Sequence, residues 1–420
     1  MNRHYYDLFE EFLGQRGRKI ILSTLFASFL FAVMVWGTYT LFTSKVPGAN
    51  DFYPRWKGAQ LFWQDGIDPY SQTATEEIQR GLYGRLATPD EDQVLFVYPF
   101  YTIFLLWPLV SLDYAWVQAI WLVVVQFSII GGVILGLRLV NWPVPLWLLA
   151  VILLWSVIFY NSTRTIILGQ FAGPIFLGMI ACLLALKDDR DGLAGVLLSW
   201  TTLKPQMSYL LIPALLLWGI GQRRWRFVAG FGITLGLLVG ISFILLPNWL
   251  TSFVDQVGYY PAYTITGSPL WVITGYYWPQ LGKPVETVLI ILLVGYLLWQ
   301  WRRLPGLPAD STEFLVIISL TLIITNMIIV RTATTNYIIM YLPLLLLLKA
   351  INDNLRWGKA VVTLIIVLSA AGMWLLFLTT LQGDSEHPIT YLPLPFTLLF
   401  ALIWGDVRRS FPNYAESREG

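Results

Sequence analysis

The chain has 420 residues, 56% of them apolar or aromatic and only 12% charged, a balance that excludes an ordinary soluble domain. Its formal net charge of +2 is too small to argue for a nucleic-acid partner. The single cysteine, Cys182, lies inside an apolar segment, which excludes an intramolecular disulfide and leaves it to pack as a small hydrophobe.

Apolar segments cover residues 20–42, 94–110, 115–137, 145–160, 171–186, 193–220, 227–246, 285–301, 314–330, 337–348, 361–381 and 392–404. Several approach the roughly 20 residues that a spanning helix needs, and several are short. The expectation is an all-α polytopic membrane protein, a single integral membrane domain over residues 1–420 with tilted or broken helices around a cavity. Arg16, Arg18 and Lys19 precede the first segment, which has no small-residue cleavage site after it and reads as a retained signal anchor. Arg223, Arg224, Arg226, Arg302, Arg303, Arg356, Lys359, Arg408 and Arg409 flank later segments, so the positive-inside rule puts those ends and both termini in the cytoplasm; the membrane is expected to be the plasma membrane.

The first external loop, residues 44–93, holds five Lys/Arg against eight Asp/Glu, a net of −3 that suits a translocated segment. Phe52, Trp56, Ala59 and Trp63 recur at helical spacing beside Arg55, Lys57 and Gln60, the pattern of an interfacial amphipathic helix. Thr73-Ala74-Thr75-Glu76 has the capping-box pattern and starts a second short helix that ends near Gly81 or Gly84. A solvated loop with anchoring aromatics is the competing reading of these residues.

Four apolar segments lie between this loop and the charged turn at Lys187, yet that turn fits the cytoplasm only if three of them cross. Residues 94–110, interrupted by Pro99 and Pro108, and residues 145–160, which are short, both qualify as the one that fails to span. Residues 193–220 as one straight helix would run about 40 Å and put Arg223, Arg224 and Arg226 on the wrong side. Lys204-Pro205 breaks it near the middle, so a hairpin with Lys204-Pro205-Gln206 at its outer turn is expected. A second large external loop, residues 247–284, is crowded with Trp and Tyr, and the last outer loop holds Asp384, Glu386 and His387. Gly232, Gly236 and Gly240 form a small-residue stripe of the kind that permits close helix packing.

Asp51 stands at the outer end of the first segment, where a carboxylate can serve as a general base; an exposed acid beyond a membrane helix is also often only solvated. Lys204 at a break at membrane depth needs water or an anion. Arg331, following residues 314–330, lands on the same side as Asp51 and fits a phosphate as well as it fits a helix C-terminus. His4 and His387 are the only histidines and have no ligand-like spacing, so no metal site and no cofactor are expected. No Gly-rich nucleotide fingerprint follows a strand pattern.

Asn50-Asp51-Phe52-Tyr53 and Gly66-Ile67-Asp68-Pro69-Tyr70 resemble the first external loop of polytopic glycosyltransferases of the GT-C type, and within that class glycosyltransferase family 87. Tyr98-Pro99 looks like that family's tyrosine-proline element, Gly169-Gln170 like its glycine-glutamine turn, Lys204-Pro205 like its lysine-proline break, and Gln222-Arg223-Arg224-Trp225-Arg226 like the basic turn that follows. Phe100 stands where the family often has a second proline, and residues 331–337 where it often has a Trp-and-His element, so no histidine role is carried over. The resemblance implies a GT-C-type bundle of about 11–13 transmembrane helices, with short interfacial helices in the first loop. It implies an inverting transferase that moves a mannose-like sugar from a polyprenyl-phosphate donor to an external lipid or glycan acceptor. Asp51 would be the base, Lys204 a donor-phosphate cation, and Tyr53, Tyr98, Gln170 and Gln206 substrate-binding residues; Arg331 as the second phosphate cation and Asn336 as a further substrate-binding residue are candidates by position and not by match to the family. A transporter or flippase for lipid-linked saccharides would use the same cavity and cations without needing Asp51 as a base, and a scaffold for envelope assembly would need neither.

Overall fold

The computed structural model describes residues 15–46, 48–263, 267–330, 332–381 and 386–410. Every regular element among them is helical. The chain divides into two compact units, residues 1–48 with 112–124, and residues 49–111 with 125–420.

The first unit carries the helix Gln15–Thr38, continued by a π-helical turn at Tyr39–Thr43. Leu22, Leu25, Phe26 and Phe29 are exposed on it, as a lipid-facing helix requires. Its end is tied down by Thr43 Oγ1, which donates to the Ala115 carbonyl at 2.7 Å, and by the Tyr39 ring stacked on Trp116 at 3.7 Å.

Across the described residues, seven helices are long and apolar enough to cross a membrane. An eighth span arises if Leu146–Ile158 and Tyr160–Ile167, bent by 53° at Phe159, count as one. The bend frees two carbonyls, which Thr163 Oγ1 and Trp374 Nε1 satisfy at Val157 (3.1 Å) and Ile158 (2.8 Å). Three shorter apolar helices, Ala172–Lys187, Leu211–Gly221 and Thr312–Ile328, complete the apolar set.

Of the two segments that sequence left open, residues 94–110 are the ones too broken to span. They hold only the helix Thr102–Leu106 and a 3-10 turn at Trp107–Leu109. The first-loop helix Tyr53–Asp65 lies along them and caps their orphan carbonyls. Trp63 Nε1 donates to Ile103 at 3.2 Å, Trp56 Nε1 to Leu109 at 3.1 Å, and Gln60 and Gln64 to Val110 at 3.1 and 2.9 Å. The loop is therefore structured, not merely solvated. Its second helix, Gln72–Tyr83, ends at Gly84, but its N-cap is Ser71, whose Oγ accepts from Ala74 N; the Thr73 box pattern sits two residues inside the first turn.

Residues 191–221 form the expected hairpin. Asp191–Trp200 and Leu211–Gly221 are separated by two 3-10 turns around Lys204. Both outer ends return to one face, because Arg224 beyond the second helix pairs with Asp189 just before the first at 2.7 Å and with Asp191 at its start at 2.9 Å. Lys187 joins that face by donating to the Leu139 carbonyl at 2.9 Å. Gln170 and Lys204 lie at the opposite ends of these helices; Ala172–Lys187 alone spans about 24 Å between the two levels.

A Cβ added at Gly232, Gly236 or Gly240 would meet nothing within 4 Å among the described residues, contrary to the stripe's sequence reading. Period alone does not reveal which way a stripe faces. The close approach is made instead by Gly195, where an added Cβ would sit 2.3 Å from the Phe227 carbonyl oxygen and 2.5 Å from Phe231 N. Gly195→Ala is accordingly expected to cost about 1–3 kcal/mol by prising apart Asp191–Trp200 and Trp225–Leu245, while Gly236→Ala leaves stability unchanged or slightly raised. Thermal unfolding of the two detergent-solubilised variants checks this, and equal melting temperatures would contradict the assigned contact.

Candidate active site

Asp51 is placed by its backbone before its side chain finds a partner. Ala49 takes a left-handed conformation (φ 55°), which turns the chain so that Phe52 N and Tyr53 N both bond back to the Ala49 carbonyl. Asp51 N donates to the Leu168 carbonyl at 3.2 Å, docking the start of the first-loop helix on the end of Tyr160–Ile167. The next turn is closed by Gly169 at φ 66°, a conformation that favours glycine, and Gln170 N bonds to the Thr165 carbonyl at 2.9 Å.

Three sequence motifs meet at these turns. Gln170 Nε2 donates to Asp51 Oδ2 at 2.6 Å, and Lys204 Nζ donates to Gln170 Oε1. Lys204 is 3% exposed at the hairpin break, so its ammonium reaches Gln170 from inside the protein. Asp51 is half-buried, and its Oδ1 accepts no hydrogen bond from the described residues.

Arg55, one helical turn past Asp51, donates to the Asp51 carbonyl at 2.9 Å and lays its guanidinium over the Tyr98 ring at 4.6 Å. Tyr98 is buried, packs on Phe171 at 5.0 Å, and accepts at its carbonyl from Tyr70 Oη at 2.6 Å. The tyrosine-proline element thus floors the Asp51 region. Val94 (φ 45°) and Val97 (φ 38°) beside it are held in left-handed conformations that β-branched residues rarely adopt. Asp92 Oδ1 and Gln256 Oε1 hold them by accepting from their N–H groups at 2.9 and 3.0 Å. Although Asp92 lies at the surface, crowding around its carboxyl pushes its pKa up; the Val94 N–H and Arg55 oppose this, and the Asp51 charge adds to it. Asp92, far from Asp51 in sequence, is close enough to feel its charge.

The other expected residues fall elsewhere. Tyr53 lays its phenol over Gly81, where any side chain would collide with it. Gln206 is half-buried at the hairpin turn, one residue past Pro205. Asn336 is buried in the 3-10 helix Thr334–Met340, where its Nδ2 donates to Thr332 Oγ1 at 3.2 Å. Arg331 and Asp384 lie outside the described residues.

A second polar cluster, missed by sequence reasoning, centres on Glu386. Its carboxylate is 5% exposed and accepts from Tyr160, Thr334 (2.6 Å), Thr390 (3.1 Å) and Tyr391 (3.3 Å), with Arg164 at 3.7 Å. Arg164 lies one helical turn before Leu168, so the helix that docks Asp51 also carries this cation. The only signals for it in sequence were an acid in the last outer loop and Arg164 inside an apolar stretch. His387 is engaged structurally, its Nδ1 accepting from Ile389 N at 3.2 Å and its Nε2 lying 3.2 Å from the Tyr276 hydroxyl.

The arrangement offers one carboxylate with an oxygen that accepts no hydrogen bond from the described residues, an amide and an ammonium behind it, and the Arg55 guanidinium one helical turn away. The family model described as Glycosyltransferase family 87 matches residues 96–332, more than half of the chain. No curated protein and no solved structure matches it.

Proposed function

Because the chain belongs to glycosyltransferase family 87, we propose that it transfers a mannose-like sugar from a polyprenyl-phosphate donor to a membrane lipid or glycan, with inversion at the anomeric carbon and Asp51 as general base. The observation that carries this reading is the half-buried Asp51 carboxylate, fixed through Oδ2 by Gln170 and open at Oδ1. A base so held can take the proton of an acceptor hydroxyl as that oxygen attacks the anomeric carbon from the face opposite the phosphate. The C–O bond to phosphate breaks as the new glycosidic bond forms, and the leaving polyprenyl phosphate carries the charge away.

Cations stabilise that charge as it grows. Arg331 is the proposed direct phosphate ligand, with Arg55 and Lys204 as further cations near Asp51. Arg55 Nε and Arg164 Nε are buried with no hydrogen-bond partner among the described residues, so an anion would meet these guanidinium groups at their terminal nitrogens. Buried Tyr98 beneath Arg55 would line the substrate path beside Asp51; Tyr53, Gln206 and Asn336 are proposed to meet the substrate farther along it. The basic ends gathered at Arg224 and Lys187 support cytoplasmic termini and an external site in a plasma membrane.

The test is the anomeric configuration of the product formed by the protein in nanodiscs from β-configured short-chain polyprenyl-phosphate mannose and a membrane-lipid extract. An α-linked mannoside is expected. A β-linked product would overturn the single-displacement reading.

A further inference from the structure

Lys204 and Asp51 carry opposite charges, yet they meet through an amide instead of pairing directly. An ammonium has only donors and an ionised carboxylate only acceptors, so a glutamine between them can point only one way: its oxygen toward lysine, its NH2 toward aspartate. The hydrogen bonds run in that direction from end to end. All three main chains are pinned independently. Asp51 N bonds to Leu168, and Gln170 N to Thr165. The break at Lys204 is spanned by Ser208 Oγ donating to the Thr201 carbonyl at 3.0 Å.

We propose that Lys204 and Gln170 form one positioning unit for Asp51. Lys204 fixes the amide of Gln170, and Gln170 clamps one carboxylate oxygen so that Oδ1 faces the acceptor hydroxyl. This rests on Asp51 being the base, and it makes Lys204 a positioning residue in place of a direct phosphate ligand. A direct lysine–aspartate pair would lower the basicity of the carboxylate and cover it. The intervening amide orients the carboxylate while keeping the ammonium at one remove.

The experiment uses the full chain in nanodiscs as Gln170→Leu, Lys204→Met and the double variant, with thermal unfolding to confirm that each is folded. The first readout needs no substrate: modification of Asp51 by dicyclohexylcarbodiimide at mildly acid pH, followed by peptide mass spectrometry. Each single variant is expected to label roughly tenfold faster than wild type, as a charge-assisted hydrogen bond to the carboxylate is lost. The double variant should be within about twofold of either single, because one unit is broken only once. With polyprenyl-phosphate mannose, kcat should fall alike in all three while the donor KM stays within about twofold, and Lys204→Arg should restore part of the rate.

Unchanged Asp51 labelling in Lys204→Met with a raised donor KM would return Lys204 to the phosphate. Multiplying effects in the double variant would dissolve the unit. The base assignment is judged separately: full turnover by Asp51→Asn overturns that reading, whatever the labelling shows about the unit.

Discussion

Asp51→Asn is expected to lower sugar transfer by about 10²- to 10⁴-fold, the usual contribution of a positioned general base, while donor affinity stays near wild type. The substitution keeps the volume of the side chain and an acceptor oxygen for Gln170, whose bond to Oδ2 is 2.6 Å long. The fold should therefore persist, since Asp51 N still bonds to Leu168 and Arg55 to the Asp51 main-chain oxygen. What is lost is proton acceptance at the open oxygen. A kcat loss without a change in donor binding places the residue in the transition state; a loss confined to donor KM would make Asp51 a substrate-binding group instead.

Glu386→Ala is expected to be the most damaging change to stability in the described site region, costing about 3–5 kcal/mol. The carboxylate accepts from four hydroxyls that come from the bend at Tyr160, the 3-10 helix at Thr334 and the turn at Thr390 and Tyr391. Removing it orphans those hydroxyls and leaves Arg164 without its acid. Glu386→Gln keeps acceptor capacity and should lose less. Thermal unfolding in detergent checks the order, with wild type above Glu386→Gln and Glu386→Ala lowest; an alanine variant as stable as wild type would show that the cluster does not hold these elements together.

Much of this was legible because it was local. Lys204-Pro205 has its own chemistry: proline disfavours helix at the preceding residue, so the hairpin and its outer turn follow from two adjacent residues and the basic ends. Gly169-Gln170 and Asn50-Asp51 likewise sit at turns. That they meet in space is not written in either turn, since Asp51 and Gln170 are 119 residues apart; the resemblance implied only that both face substrate. Glu386 and Tyr160, 226 residues apart, carry no mark of each other in the sequence. Residues 94–110 were ambiguous because their apolar content is that of a span; the deciding fact is that side chains of Tyr53–Asp65 satisfy their carbonyls, a tertiary arrangement. The glycine stripe failed for the same reason, as Gly195 and not Gly236 faces a neighbouring backbone.

The measurement that bears most directly on the central claim is label transfer in proteoliposomes that contain a membrane-lipid acceptor extract, comparing radiolabelled mannose on short-chain polyprenyl phosphate with the same sugar on a nucleotide. The account predicts label in a new glycolipid or glycan from the polyprenyl donor only, and none with Asp51→Asn. Transfer from the nucleotide sugar, or undiminished transfer by the variant, would contradict it.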